Sequence, residues 1–357
     1  MVPVDDNWLN ATTPADQKKT LRALEMIAIV IPTYRARSSI VSVINRIDNS
    51  VGLIVVVDDC CPEGSGEVVK KNCDDERIVV IRHEINQGVG GAFLTGMSEA
   101  LKRGAEIVVK VDADGQMDPA LVPLIVRPIR NHEADYVKGN RFYFISNIGP
   151  MPKARIFGNL FLSFLTKLAS GYWNIMDPTN GFLAIHASVA KLLRPNKVAR
   201  RFFFESDMLY HLSLIGAKVM DLPMTSTYGD EVSNLKIGNV ILPFLAGNLS
   251  NTMKRIVYKY FIRDFSVASL ELLLGIPLIA FGFSFGLVSW ISHGVAGTLT
   301  PLGTIMLSAL SFLTGLQLLL AFINYDINTM ERSALHPLLG PVARVQGRDH
   351  ERQEIPG

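Results

Sequence analysis

Two apolar runs in the last third of the chain set the first constraint on its fold. From Phe265 to Ile291 the sequence FSVASLELLLGIPLIAFGFSFGLVSWI carries a single charge, Glu271, and from Pro301 to Tyr325 it carries none. Each exceeds the ~20 apolar residues with which a helix crosses a bilayer. The connector SHGVAGTLT lacks Lys and Arg, whereas MKRIVYKYFIR before the first run and the segment after Asp326 are basic or carry arginines. Positive charge marks the cytoplasmic side, so the sequence predicts a two-helix transmembrane hairpin, 265–291 and 301–325, with both termini cytoplasmic. The opening MVPVDDNWLN is acidic and polar, without the pattern of a signal peptide. The 357 residues then divide into a segment 1–25, a domain 26–236, juxtamembrane helices 237–264, the two spans, and a cytoplasmic tail 326–357.

Within 26–236, short apolar runs alternate with helical patterns. AIVI near Ile31, LIVVV ending at Val57, RIVVI at Ile81, EIVVKV at Val111 and DYVK at Lys138 read as strands. SSIVSVINRI and GGAFLTGMSEALKRG have helical spacing and, in the second, a closing glycine. This alternation predicts an α/β domain with a mostly parallel sheet and helices on both faces. Ligands of such sheets bind at the carboxyl ends of the strands. Four of those ends carry polar clusters: PTYR, DD, DAD and GNR. Two further stretches, Arg155–Trp173 and Asn239–Arg263, mix Phe and Leu with scattered Lys and Arg, as helices in a membrane interface do.

The net charge of +2 gives no support to nucleic-acid binding. The three cysteines, Cys60, Cys61 and Cys73, lack zinc-ligand spacing and read as reduced thiols. The strand end KVDADGQMDP is more demanding. Two carboxylates next to a low-dielectric core are costly unless something positive meets them. Asp112, Asp114 and the amide oxygen of Gln116 are hard donors that suit Mg²⁺ or Mn²⁺.

Taken in order, IPTYR, VVDD, NQGVGGA, VDADGQ, GNRF and DPTNGF resemble family 2 glycosyltransferases, most closely the polyprenyl-phosphate group that includes dolichyl-phosphate mannose synthases and undecaprenyl-phosphate glucosyltransferases. The resemblance spans about Met26 to Lys236. It implies a GT-A type, Rossmann-like catalytic domain that transfers one sugar, with inversion, from a UDP- or GDP-linked donor to a polyprenyl phosphate. It implies that Pro32, Thr33, Tyr34, Asp58, Asp59 and Asp112 hold the nucleotide and that Asp112, Asp114 and Gln116 hold the metal. Arg141, and Arg155 fourteen residues on, match the arginines that grip the acceptor phosphate. Ser233 and Lys236 fall in the loop that closes over it. Asp207 is the better match to the family's carboxylate in FFFESDM, and Asn180 stands where several relatives have Asp. Bacterial relatives imply a homotetramer. A processive synthase would carry QxxRW and more spans, and an inactive nucleotide-sugar sensor would have lost the metal carboxylates; this chain keeps both and lacks QxxRW.

Overall fold

The computed structural model describes residues 26–144, 153–225, 237–329 and 331–339. The β-branched run Ile27–Thr33 forms β1, buried along its whole length. Val51–Asp58 (β2), Ile78–Arg82 (β3), Ile107–Lys110 (β4) and Tyr136–Asn140 (β5) follow, as the apolar runs predict. Leu183–His186 (β6) and Val219–Pro223 (β7) complete a sheet of order β3-β2-β1-β4-β6-β5-β7. The last two strands were not foreseen; each is short and carries polar residues, so neither stands out as an apolar run.

Strand β6 runs antiparallel to both of its neighbours, while the other pairings are parallel. The carboxyl ends of the remaining six strands therefore open on one edge, and β6 enters the sheet from that same edge. Alternation along β1 feeds two cores. Ala28 and Val30 join Phe93, Met97, Phe204 and Met208 on one face; Ile27, Ile29 and Ile31 join Ile40, Val43, Ile125 and Val126 on the other.

The helices of the domain are Ile40–Asn45 (α1), Ser65–Asn72 (α2), Val89–Lys102 (α3), Val122–Arg130 (α4), Lys153–Ser170 (α5), Ala187–Ala190 (α6) and Phe204–Ile215 (α7). Ile237–Val257 (α8) packs beside α5. Both leave apolar side chains bare: Phe157, Phe161 and Phe164 on α5, and Leu242, Leu249 and Met253 on α8. Val267–Val295 (α9) and Leu302–Asn328 (α10) are two candidate membrane spans and pair as an antiparallel hairpin. Close approach depends on missing side chains, since a Cβ on Gly282 would lie 2.5 Å from Phe312 N and one on Gly315 2.7 Å from Ile279 N.

Two buried polar nodes tie these parts to the domain. Asp326, at the end of α10, accepts from Arg255 of α8 at 2.7 and 2.9 Å, from the Tyr260 hydroxyl at 2.6 Å and from Trp173 Nε1 at 3.0 Å. Beyond the hairpin, the backbone N–H groups of Leu335 and His336 and the His336 ring donate to the buried Asp135 at the start of β5.

Register places Lys110, Leu183, Lys138 and Asp221 in one row across β4, β6, β5 and β7, pointing to one face. Asp221 Oδ2 accepts from Met176 N at 2.7 Å and Asn140 Nδ2 at 2.9 Å, and its Oδ1 is buried with no donor. Burial pushes this carboxyl up to about 6, against the pull of Lys138. A raised folded-state value means that the protonated form stabilises the fold below the unfolded value near 4. That contribution is lost as pH rises through about 6. Asp221→Asn should therefore stabilise the full chain relative to wild type at pH 7.5, by up to roughly 3 kcal/mol for a shift of about two units, and not at pH 4.5. Thermal unfolding at the two pH values checks this, and an equal difference at both would contradict it.

Candidate active site

Strand pairing brings the sequence-predicted donor residues together. Pro32 lies opposite Val57 and Thr33 opposite Asp58, and Asp59 N donates to Thr33 O at 3.0 Å. Tyr34 is exposed beyond the strand end, with the Arg35 guanidinium 5.5 Å from its ring centroid. Asp58 and Asp59 are both buried, and each organises a loop. Asp58 accepts from Cys61 N at 2.7 Å and Gly66 N at 2.8 Å, closing the turn into α2. Asp59 accepts from Gln87 N at 2.8 Å and Gly88 N at 2.7 Å, fixing the glycine-rich entry to α3, and from His83 Nδ1 at 2.7 Å. His83 has no sequence signal beyond following β3.

At the end of β4, Asp112 is partly exposed and Asp114 is exposed. Asp114 Oδ1 accepts from Gln116 N at 3.0 Å across Gly115, whose φ of +79° suits a residue without a Cβ. The positive partner is inside the chain. Lys110 Nζ, at zero exposure, lies 2.5 Å from Asp112 Oδ1, 3.3 Å from Gly181 O and 3.6 Å from Glu205 Oε1. Burial alone would lower the Lys110 value, but Asp112 and Glu205 outweigh it and hold it above the usual lysine range. Burial raises Glu205, with Lys110 pulling the other way. A Cβ on Gly181 would collide with Asp112 Oδ2 and Lys110 Nζ, so the glycine keeps that carboxylate oxygen uncovered. The oxygen donors of Asp112, Asp114 and Gln116 fit a hard divalent cation.

Across β6, the acceptor-side candidate Arg141 is held by a carboxylate the sequence left without a role. Arg141 Nε and Nη2 each donate to the buried Asp177 at 2.7 Å, a two-pronged pair. Burial opposes this, yet the Arg141 guanidinium holds Asp177 below the usual carboxylate range. Asp177 takes φ +54°, a left-handed conformation that favours glycine. Its carbonyl oxygen accepts from buried Lys138, as does Met176 O at 3.2 Å. Burial lowers Lys138, against Asp221 and Asp177. Asn180 spans the same turn, donating to Asp177 Oδ2 at 3.3 Å and accepting from Phe182 N at 3.0 Å.

The two carboxylates of FFFESDM part company. Glu205 faces Lys110, whereas Asp207 Oδ2 accepts from Ala199 N at 2.7 Å and Oδ1 from Asn251 of α8 at 2.7 Å. Arg155 is on α5 with its side chain outside the described residues, and Ser233 and Lys236 lie outside them altogether. Lys110, Lys138, Asp177 and Glu205 are the site residues that sequence reasoning missed. The available signal was a lysine closing each of two apolar runs, EIVVK and DYVK.

The Glycosyl transferase family 2 model matches residues 28–193. A UDP-N-acetylglucosamine–dolichyl-phosphate N-acetylglucosaminyltransferase of Methanococcus voltae is 31% identical over 234 residues, 62% of this chain and 92% of that protein. An undecaprenyl-phosphate mannosyltransferase of Micrococcus luteus is 26% identical, over 56% of this chain and 82% of its own length. Among solved structures, glucosyl-3-phosphoglycerate synthase of Mycobacterium tuberculosis with Mn²⁺, UDP and phosphoglyceric acid shares the fold. Its TM-score is 0.50 at 16% identity, covering 70% of this chain and 84% of that one. With its α/β sheet, its loaded carboxyl edge and these relatives, the chain belongs to glycosyltransferase family 2.

Proposed function

We propose that this glycosyltransferase moves a single sugar from a UDP- or GDP-linked donor to a polyprenyl phosphate at the cytoplasmic face of a membrane, with inversion at the anomeric carbon. The observation that carries the reading is the division of charge along one sheet edge: the carboxylates Asp112 and Asp114 at the end of β4, and the Asp177-held Arg141 at the end of β5. Relatives named for dolichyl- and undecaprenyl-phosphate acceptors support it, as do two candidate membrane spans following the domain.

Pro32, Thr33 and Tyr34 with Asp58 and Asp59 form the donor end of the crevice. Asp112, Asp114 and Gln116 would hold Mg²⁺ or Mn²⁺ beside them; a neighbour of this fold is described with Mn²⁺ and UDP. A divalent cation at that place supplies charge neutralisation for the leaving diphosphate. Arg141 and Arg155 orient the acceptor phosphate, with Ser233 and Lys236 closing over it. The bare apolar faces of α5 and α8 suit the interface beside the lipid, and the resemblance to bacterial polyprenyl-phosphate glycosyltransferases implies a homotetramer. The Lys and Arg flanking the candidate spans support a topology with both termini in the cytoplasm.

A phosphate monoester has a second pKa of ~6 and is already largely dianionic at pH 7, so its attack needs no side-chain base. What remains for the protein is positioning and relief of repulsion between two phosphates. The engagement of Asp207 with Ala199 and Asn251 agrees with such a supporting place.

Four outcomes follow. With a panel of nucleotide-sugars and a polyprenyl phosphate in detergent, the purified chain should form a single-sugar lipid product. Asp114→Asn should abolish turnover and EDTA should silence the wild type; full activity in EDTA would remove the metal from the scheme. Arg141→Ala should cost more in kcat than Asp207→Asn. A loss of ~10²-fold or more for Asp207→Asn with donor binding intact, and a milder Arg141→Ala, would instead establish a side-chain base. In intact cells a membrane-impermeant maleimide should label Leu299→Cys and leave Arg344→Cys untouched; the reverse pattern would place the crevice away from cytosolic donors.

A further inference from the structure

Lys110 is a fixed positive charge inside the candidate metal site. Its ammonium group is wholly buried, 2.5 Å from Asp112 Oδ1, 3.3 Å from Gly181 O and 3.6 Å from Glu205 Oε1. Asp112 therefore spends part of its charge within the protein. Asp114 brings a second carboxylate and Gln116 a neutral oxygen. Among the described residues, no three His, Cys, Asp or Glu side chains are gathered so as to hold a metal ion by themselves. The protein alone offers a divalent cation a half-neutralised cage, and a diphosphate carries the anionic oxygens the cage lacks.

We infer that Lys110 is a positioning residue that makes retention of the divalent cation conditional on the nucleotide diphosphate, so that cation and nucleotide bind together and leave together. This rests on the metal-dependent reading above. Two ligands that each improve the other's affinity do so by the same factor. Without nucleotide the cation would depend on Asp112, which Lys110 already holds at 2.5 Å, whereas with diphosphate oxygens present it would depend on Asp112 less, so Lys110 weakens the nucleotide-free complex more than the ternary one and raises that factor. The consequence for turnover lies at product release. A site that held its cation tightly would also hold the departing nucleoside diphosphate, whereas one that holds both weakly apart lets them go once the sugar has left.

The test measures Mn²⁺ binding by electron paramagnetic resonance on the full chain in detergent, without nucleotide and with saturating UDP or GDP. Wild type should bind Mn²⁺ at least tenfold more tightly with its nucleotide than without. Lys110→Met should tighten binding of Mn²⁺ alone by roughly tenfold and shrink the nucleotide's effect by a similar factor. A purely structural role for Lys110 would leave that ratio unchanged or weaken both affinities together, and either result overturns the inference. Because Lys110→Met strands Glu205 in the core, Glu205→Gln provides a second arm with the opposite sign. It leaves Lys110 to Asp112 alone and should weaken binding of Mn²⁺ without nucleotide; unchanged or tighter binding would equally overturn the inference. Should wild type bind no Mn²⁺ even with nucleotide, the metal-dependent reading fails and takes this inference with it. A normal wild-type ratio with unresponsive variants refutes the inference alone.

Discussion

Two lysines at zero exposure, on strands separated only by β6, impose the condition that the rest of the crevice satisfies. An uncompensated ammonium group in a protein interior costs several kcal/mol, so each must meet acceptors that are themselves held in place. Lys110 is met by Asp112, Glu205 and Gly181 O, and Lys138 by the carbonyls of Met176 and Asp177 with Asp221 nearby. The turn that brings Asp177 into reach also brings Asn180 and Gly181, and it leads directly into β6. Because β6 runs against its neighbours, the turn arrives at the sheet's carboxyl edge. A parallel strand in that position would place its preceding loop at the opposite edge, leaving both lysines bare.

The same turn links the two sides of the crevice proposed for donor and acceptor. Asp177 uses its carbonyl on Lys138 and its carboxylate on Arg141, so the cation nominated for the acceptor phosphate is oriented by the peptide that neutralises a core lysine. Gly181, four residues on, borders Asp112 and Lys110. A displacement of the DPTNGF turn would therefore be felt at both ends of the crevice. The strained φ of Asp177 is tolerated because these bonds over-determine it.

Much of this was open to reading in the chain, for identifiable reasons. Strands β1 to β5 are apolar runs long enough to show, and the polar clusters closing them fall where the strands end. The paired spans stand out by length and lack of charge. What stayed hidden depends on contacts across long sequence separations. Strands β6 and β7 are recognisable only by the partners they pair with. Lys110 lies 71 residues from the carbonyl it donates to, and Arg255 lies 71 residues from Asp326. Asp58 and Asp59 look like ligand-facing groups in sequence, yet each accepts from backbone amides at 2.7–2.8 Å that shape the neighbouring loop. Strand-end position fixed their neighbourhood, and the direction of each side chain was decided by the loop that follows.

Glu205 and Asp207 show how the candidate spans can reach the crevice floor. Two residues apart on a helix, they point about 200° from one another. Glu205 turns to the sheet and Lys110, while Asp207 turns outward to Asn251 on α8. Four residues beyond Asn251 on the same helix, Arg255 is locked to Asp326 at the end of α10. The chain of contacts from the hairpin through α8 and α7 to Lys110 and Asp112 is thus made of buried, charge-assisted bonds, each costly to break. Helix α8 therefore has little freedom to tilt without disturbing the strand end that carries the two aspartates. Asp207 contributes to that rigidity through α8, which ties the strand end bearing Asp112 and Asp114 to the candidate spans.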